Sequence, residues 1–157
     1  MSPVETVLAF FNAINEQDQL AALMTEDHIF IDPLGNSVHG RENMRVGWRG
    51  YFAMCPDYRV SYENTFHDGS IVAAFGSAGG TIGVNGELLP ENQWQTPAAW
   101  RVVVRDGLMQ EFRVYADNKP VYDILAKLAK QEAGKRLPRT CGPLCQNHCR
   151  GILGTGR

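Results

Sequence analysis

The sequence predicts an α+β domain in which a curved antiparallel sheet wraps around N-terminal helices. Apolar residues recur at helical spacing before Tyr58, the period then changes to two in long segments joined by Asp-Gly turns, and one more helical stretch closes the order. A sheet built from such hairpins curls around the helices that precede it.

Ser2-Pro3-Val4-Glu5 reads as a capping box with proline at the first helical position, where its missing N–H costs nothing. Val4, Val7, Leu8, Phe11 and Ile14 continue it as an apolar stripe to about Asn15. Asp18 is expected to cap a second, shorter helix that buries Leu20, Leu23 and Met24. His28 to Asp32 reads as a strand, closed by the turn sequence Pro33-Leu34-Gly35-Asn36. Alternation puts His28, Phe30 and Asp32 on one of its faces and Ile29 and Ile31 on the other. Helical spacing returns from Arg41 to Met54 through Met44, Trp48, Tyr51 and Phe52, despite Gly47 and Gly50. Tyr58, Val60, Tyr62 and Phe66 then alternate with Arg59, Ser61, Glu63 and Thr65, the pattern of an antiparallel strand with one wet face. Asp68-Gly69 turns this strand into the segment from Ile71 to about Ile82, and Asp106-Gly107 joins residues 100–105 to 108–116 in the same way. Residues 79–93, with Gly80, Gly83, Gly86 and Pro90, read as a flexible crossover. Pro120 starts a last helix whose apolar side is Val121, Ile124, Leu125 and Leu128.

Of 157 residues, 44% are apolar and 20% charged, the ordinary composition of a globular chain of one domain. The domain is expected over residues 1–133, and periodicity vanishes over 134–157 in a run of Gly, Pro, Arg and Cys that reads as linker or tail. The net charge of −2 is uneven: residues 1–133 hold ten basic against seventeen acidic residues, a net −7, while the tail holds five basic and no acidic ones. An acidic body is a poor match for a phosphate backbone, so no nucleic acid is expected as its partner. No stretch approaches the roughly 20 apolar residues that span a bilayer, and no signal peptide is apparent, so no membrane association and a cytoplasmic location are expected. Cysteine usage agrees, with Cys55 alone in the body and Cys141, Cys145 and Cys149 crowded in the tail.

Three stretches, in this order, carry a family resemblance: Val7-Leu8-Ala9-Phe10-Phe11-Asn12-Ala13-Ile14-Asn15, then Ile31-Asp32-Pro33-Leu34-Gly35, then Asp106-Gly107 through Glu111-Phe112-Arg113-Val114-Tyr115-Ala116-Asp117. Over about Ser2 to Leu128 the chain resembles the nuclear transport factor 2-like superfamily (a cystatin-like fold), in particular its SnoaL-like polyketide cyclase and ketosteroid isomerase branches. The resemblance implies that sheet and N-terminal helices form a cone with an internal cavity, with residues 79–93 near its mouth. That superfold hosts isomerases, cyclases, hydrolases, dehydratases and binders, so it does not name a reaction. The resemblance puts Asp32 at the place of the isomerase's general base. The isomerase's two oxyanion donors, a tyrosine and a protonated aspartate, fall on Phe10 and Ala99, neither of which can donate. Loss of even one such donor typically removes about 2.7–4 kcal/mol of transition-state stabilisation, so steroid isomerisation by that arrangement is not expected. Asp117 falls where one carboxylate of the superfamily's epoxide hydrolases would be, but Val72-Ala73-Ala74-Phe75 supplies neither their arginine nor their second aspartate.

Two readings of Asp32 follow: a base whose strength rises in an apolar pocket, or a cap for its own turn. Met109, Glu111, Arg113, Tyr115 and Asp117 share one face of the last strand by alternation, and the resemblance turns that face toward the cavity. Asp117 is then a second acid or base, Tyr115 a hydroxyl donor and Arg113 a charge partner; otherwise this is a solvated face of weak ion pairs. Arg101 is expected to face the cavity and to require Asp32 or Asp117. His28 stands about 13 Å along the strand from Asp32 and either lines the pocket or is a satisfied structural histidine. Phe10, Phe30, Trp48, Phe52, Trp94 and Trp100 offer aromatic surface, some of it for a ligand and the rest for the core. His39 and His67 read as turn or strand-end residues, and no metal site is expected within the domain; the tail's Cys141, Cys145, His148 and Cys149 miss the paired Cys-x-x-Cys form of zinc sites. Cys55 reads as a small buried hydrophobe. The expectation is a cofactor-free protein that takes a small apolar ligand, either a proton-transfer enzyme acting on a carbonyl compound with Asp32 as base or a non-catalytic binding or interaction module, paired as a homodimer through the sheet.

Overall fold

A computed structural model describes residues 1–134. The tail, with the expectations about Cys141, Cys145, His148 and Cys149, lies outside the described residues. Ten elements follow in chain order: α1 (Pro3–Asn12), α2 (Gln17–Ala22), β1 (Met24–Ile31), β2 (Ser37–His39), α3 (Arg41–Met54), β3 (Arg59–Asp68), β4 (Ile71–Thr81), β5 (Gln93–Arg105), β6 (Leu108–Ala116) and α4 (Lys119–Gly134), with a short 3-10 turn at Pro90–Asn92. They form the expected α+β architecture, a six-stranded, curved and unclosed sheet in the order β2-β1-β6-β5-β4-β3. Every pairing is antiparallel except β1 with β6, which run parallel.

The capping box of α1 forms as read: Ser2 Oγ accepts from Glu5 N–H and the Glu5 carboxylate accepts from Ser2 N–H at 2.7 Å. Its buried side is Thr6, Val7, Phe10 and Phe11, with the Thr6 hydroxyl donating to Gly107 O at 3.2 Å and so tying the helix to the β5–β6 turn. Asp18 does not cap α2; Glu16 holds that position, and the Asp18 carboxylate is drawn instead to Arg45 on α3 at 3.0 Å. Met24 opens β1 rather than closing α2. Gly47 and Gly50 do not interrupt α3, whose buried face is Met44, Gly47, Trp48, Tyr51 and Phe52.

Both Asp-Gly turns form as expected, with Gly69 and the Asp106-Gly107 pair at positive φ. Strand β5 begins seven residues earlier than the sequence suggests, at Gln93, and passes through Pro97. Pairing of β5 with β6 stops at Ala98, so Pro97 sits where one flank of the strand has no neighbour to receive an N–H. Residues 79–93 are not a loose crossover: Val84 and Glu87 bridge around an Asn85-Gly86 turn, Gly83 N–H donates to Met54 O, and Ile82 N–H donates to Asn92 O.

Two bulges decide which side chains face the helices. Glu63 is the extra residue of β3 and Gln110 that of β6. The inner face carries Val72 and Ala74, then Trp94, Ala98, Trp100, Val102 and Val104, then Met109 and Phe112, and the buried core is built on it by Val7, Phe10, Leu20, Met44 and Trp48. After Glu63 the parity of β3 flips, so Tyr62 stacks on Phe11 inside while Phe66 meets Phe75 on the outside. No described helix is long and apolar enough to cross a membrane.

Candidate functional site

A hollow of about 50 Å³ lies between α3 and the inner sheet face, walled by Phe30, Trp48, Tyr51, Tyr58, Trp94 and Phe112, with Pro33 and Asn118 among its other boundaries. Its walls come from four directions. Phe30 is on the inward face of β1, Trp48 and Tyr51 are one turn apart on α3, Tyr58 precedes β3, and Trp94 and Phe112 are inward residues of β5 and β6. Trp48 is central: it stacks on Phe52 at 5.3 Å and stands edge-on to Phe30 and Tyr51, each at 6.0 Å. Its indole Nε1 is sealed from solvent and has no hydrogen-bond partner among the described residues.

The wall is uncharged. Burial pushes the Tyr51 phenol well above its ordinary pKa, and burial, then the neighbouring Cys55, does the same to Tyr58. The Cys55 thiol is raised to about 11, first by burial and then by Asp57. Trp94 Nε1 lies close enough to the Cys55 sulfur to oppose that rise, although it makes no hydrogen bond of ordinary geometry. Asp57 is a structural clamp. Burial opposes its ionisation, yet the Thr81 hydroxyl at 2.8 Å and N–H at 2.7 Å, with the backbone N–H of Asp57 itself and the Arg59 charge, together hold the carboxyl below the usual range.

Asp32 is 1% exposed and follows the end of β1 at the rim of the hollow, beside Pro33. Its Oδ1 accepts from Leu34 N–H and Asn36 N–H, both at 2.9 Å, and its Oδ2 accepts from the Asn36 side-chain amide at 3.1 Å. The turn-capping reading is therefore realised, and one oxygen keeps acceptor capacity to spare. Tyr122 of α4, absent from the sequence-based candidates, stands near it: burial first and the Asp32 charge second raise its phenol pKa, against a hydrogen bond with Asn118. An apolar reading of α4 concealed it, although Tyr122 follows Val121 directly.

Among the aromatic candidates, Phe30, Trp48 and Trp94 border the hollow, whereas Phe10 and Phe52 pack behind it. Tyr51, Tyr58 and Phe112 complete the wall. Tyr51 follows Trp48 by one turn on the α3 stripe, while Phe112 lies opposite the strand face that the resemblance turns toward the cavity. His28 is fully buried but does not border the hollow; its Nδ1–H donates to Met109 O at 2.8 Å, its Nε2 has no partner among the described residues, and burial lowers its pKa.

The polar face of the last strand points the other way. Cross-strand partners share a face, so the rows Ile71–Val103–Glu111, Ala73–Arg101–Arg113 and Phe75–Ala99–Tyr115 all lie on the outer surface. Glu111, Arg113 and Tyr115 do not reach the hollow, and the bulge at Gln110 parts them from the buried Met109. The inner residues of β6 are Phe112, Val114 and Ala116, because that side must close an apolar core. Arg101 pairs with Glu111 rather than Asp32 or Asp117. Arg113 lies over the Tyr115 ring at 5.1 Å. Asp117 is exposed, its carboxylate accepting from Lys119 N–H at 2.9 Å at the start of α4. On β5 the inward residue is Ala98 and not Ala99; either alanine leaves that place without a donor. Among the described residues, no group of three or more His, Cys, Asp or Glu side chains is placed to hold a metal ion.

Residues 7–112 match the SnoaL-like domain family. The chain belongs to this family, within the nuclear transport factor 2-like superfamily. Solved structures similar to this SnoaL-like domain share its fold at low identity. IdmH of Streptomyces antibioticus, a candidate polyketide cyclase, is 22% identical with a TM-score of 0.66 over 80% of this chain and 99% of that one. A protein of Shewanella denitrificans OS-217, a candidate SnoaL-like polyketide cyclase, is 14% identical, TM-score 0.67, over 80% and 97%. A ketosteroid isomerase-like protein of Catenulispora acidiphila DSM 44928, solved with trimethylamine, is 22% identical, TM-score 0.66, over 77% and 91%. No curated protein matches the chain.

Proposed function

We propose that this SnoaL-like domain binds a small, mainly apolar carbonyl compound in its aromatic hollow. The observation that carries this reading is the uncharged aromatic wall of Phe30, Trp48, Tyr51, Tyr58, Trp94 and Phe112, closed on one side by the Asp32 turn. At about 50 Å³ the hollow is far below the roughly 300–1,000 Å³ of ordinary ligand pockets. Binding therefore requires a wall to give way. The side bounded by Asn118 is the one suited to it, since α4 buries only Val121 fully and leaves Ile124, Leu125 and Leu128 half-covered. Two of the three tryptophans border the hollow, so 2-tetralone, a compact aromatic ketone, is expected to quench intrinsic fluorescence saturably. An unchanged spectrum over the probe's soluble range would remove the reading.

A second reading, proton transfer at the ligand's α-carbon, is favoured by the spare acceptor capacity of Asp32 Oδ2 at the rim. Deuterium incorporation into 2-tetralone should then fall by about 10²–10⁴ in Asp32→Asn, and a variant exchanging as fast as the parent protein would leave binding alone. We also propose a homodimer through the outer sheet face, supported by the exposure of Phe66, Ile71, Phe75 and Tyr115 along it.

A further inference from the structure

We infer that Trp48 recognises an oxygen atom of the bound compound, its indole N–H donating to a ligand carbonyl; this rests on the hollow being a binding site. Trp48 is 4% exposed, and its Nε1 is buried with no acceptor among the described residues. Its ring neighbours are Phe10, Phe30, Phe52, Tyr51 and Tyr58, and neither phenol oxygen bonds to it. A buried N–H without a partner carries an uncompensated desolvation cost, so an acceptor brought into the hollow that Trp48 borders gains an unused bond.

The other buried side-chain atoms without a partner do not fit the same role. Trp94 Nε1, which also borders the hollow and has no partner among the described residues, lies beside the Cys55 sulfur. His28 Nε2 does not border the hollow and, with Nδ1 donating to Met109 O, is an acceptor. Phe10 and Ala98 offer no side-chain hydrogen bond at all. The donor is thus supplied from α3, on the helical side, while the Asp32 carboxylate at the rim follows the end of β1. A ligand spanning the two has its oxygen fixed at Trp48 and its skeleton against Phe30 and Phe112.

The test uses two probes of nearly one shape, cyclohexanone and methylenecyclohexane, which differ in carrying =O or =CH₂. Their dissociation constants are measured by NMR titration on the parent protein and on Trp48→Phe. The ketone's affinity relative to the alkene should fall about tenfold in Trp48→Phe, the equivalent of one ordinary hydrogen bond. The Trp48 indole N–H resonance of the parent protein should move downfield with ketone and not with alkene, a readout that survives if Trp48→Phe fails to fold. An unchanged ratio, or an indole proton indifferent to the ketone, overturns the inference while leaving the hollow as a binding site. Exclusion of both probes overturns the inference together with the reading beneath it.

Discussion

Asp32 anchors its own turn before it can do anything else. Two backbone donors on a carboxylate that is almost wholly enclosed make Asp32→Ala costly. A loss of roughly 2–3 kcal/mol is expected in urea unfolding, because the donors are stranded and the bonds are to a charged group. Asp32→Asn keeps an acceptor at Oδ1 and should lose clearly less, which separates the fold's need for residue 32 from any chemistry. His28 gives the residue scale its pH signature. Burial lowers its pKa below the ordinary 6.5, so below that pH the unfolded chain takes up a proton the folded protein refuses. The contribution is intact above about pH 6.5 and is lost as pH falls toward the folded pKa. Urea midpoints should drop between pH 7 and about 5 in the parent protein and drop less in His28→Gln. At this scale alternation correctly paired His28, Phe30 and Asp32 on the inward face. It also put Arg113 and Tyr115 on one face, but the resemblance turned that face toward the cavity and the structure turns it outward, because a two-residue period fixes which side chains share a face but not which face is wet.

The elements were legible where local chemistry dictates them. The capping box, the two Asp-Gly turns and the α3 stripe are each complete within a few residues, and each forms. The first half of β5 was hidden by Pro97, whose tolerance depends on β6 ending beside it, a fact of tertiary pairing. The bulges at Glu63 and Gln110 were hidden for the same reason. Gly76 shows how tight the first of them is: a methyl group there would lie 1.9 Å from Ser61 O, a backbone atom that cannot swing aside. Gly76→Ala should therefore cost more than about 3 kcal/mol, beyond the usual range for overpacking, read as a loss of the unfolding midpoint. Gly80→Ala meets a side chain instead, Cys55 Sγ at 2.4 Å, so Cys55→Ala in the same chain should restore most of what it loses.

For the whole molecule, composition and element order were enough to give the α+β class, whereas the hollow's size depends on how side chains from four elements meet and was not legible. The outer sheet face sets the remaining expectation. Phe66, Phe75 and Tyr115 are 62%, 47% and 48% exposed there, a cluster more typical of contact surfaces than of free ones. Phe75→Glu should convert a dimeric mass in light scattering to a monomeric one at unchanged far-UV circular dichroism; a monomeric parent protein would dispose of the pairing. The parallel junction of β1 with β6 has its own consequence for biosynthesis. Phe30 is aligned with Phe112, so a chain emerging from the ribosome makes the first partner some 80 residues before the second. Until then β1 has only the three-residue β2 beside it in the sheet, and its greasy side has only the helices, Trp48 of α3 against Phe30 among them, to cover it. Assembly of such a sheet is slow to nucleate, since the distant ends must meet before they are rewarded, and it cannot be completed stepwise from the N-terminus.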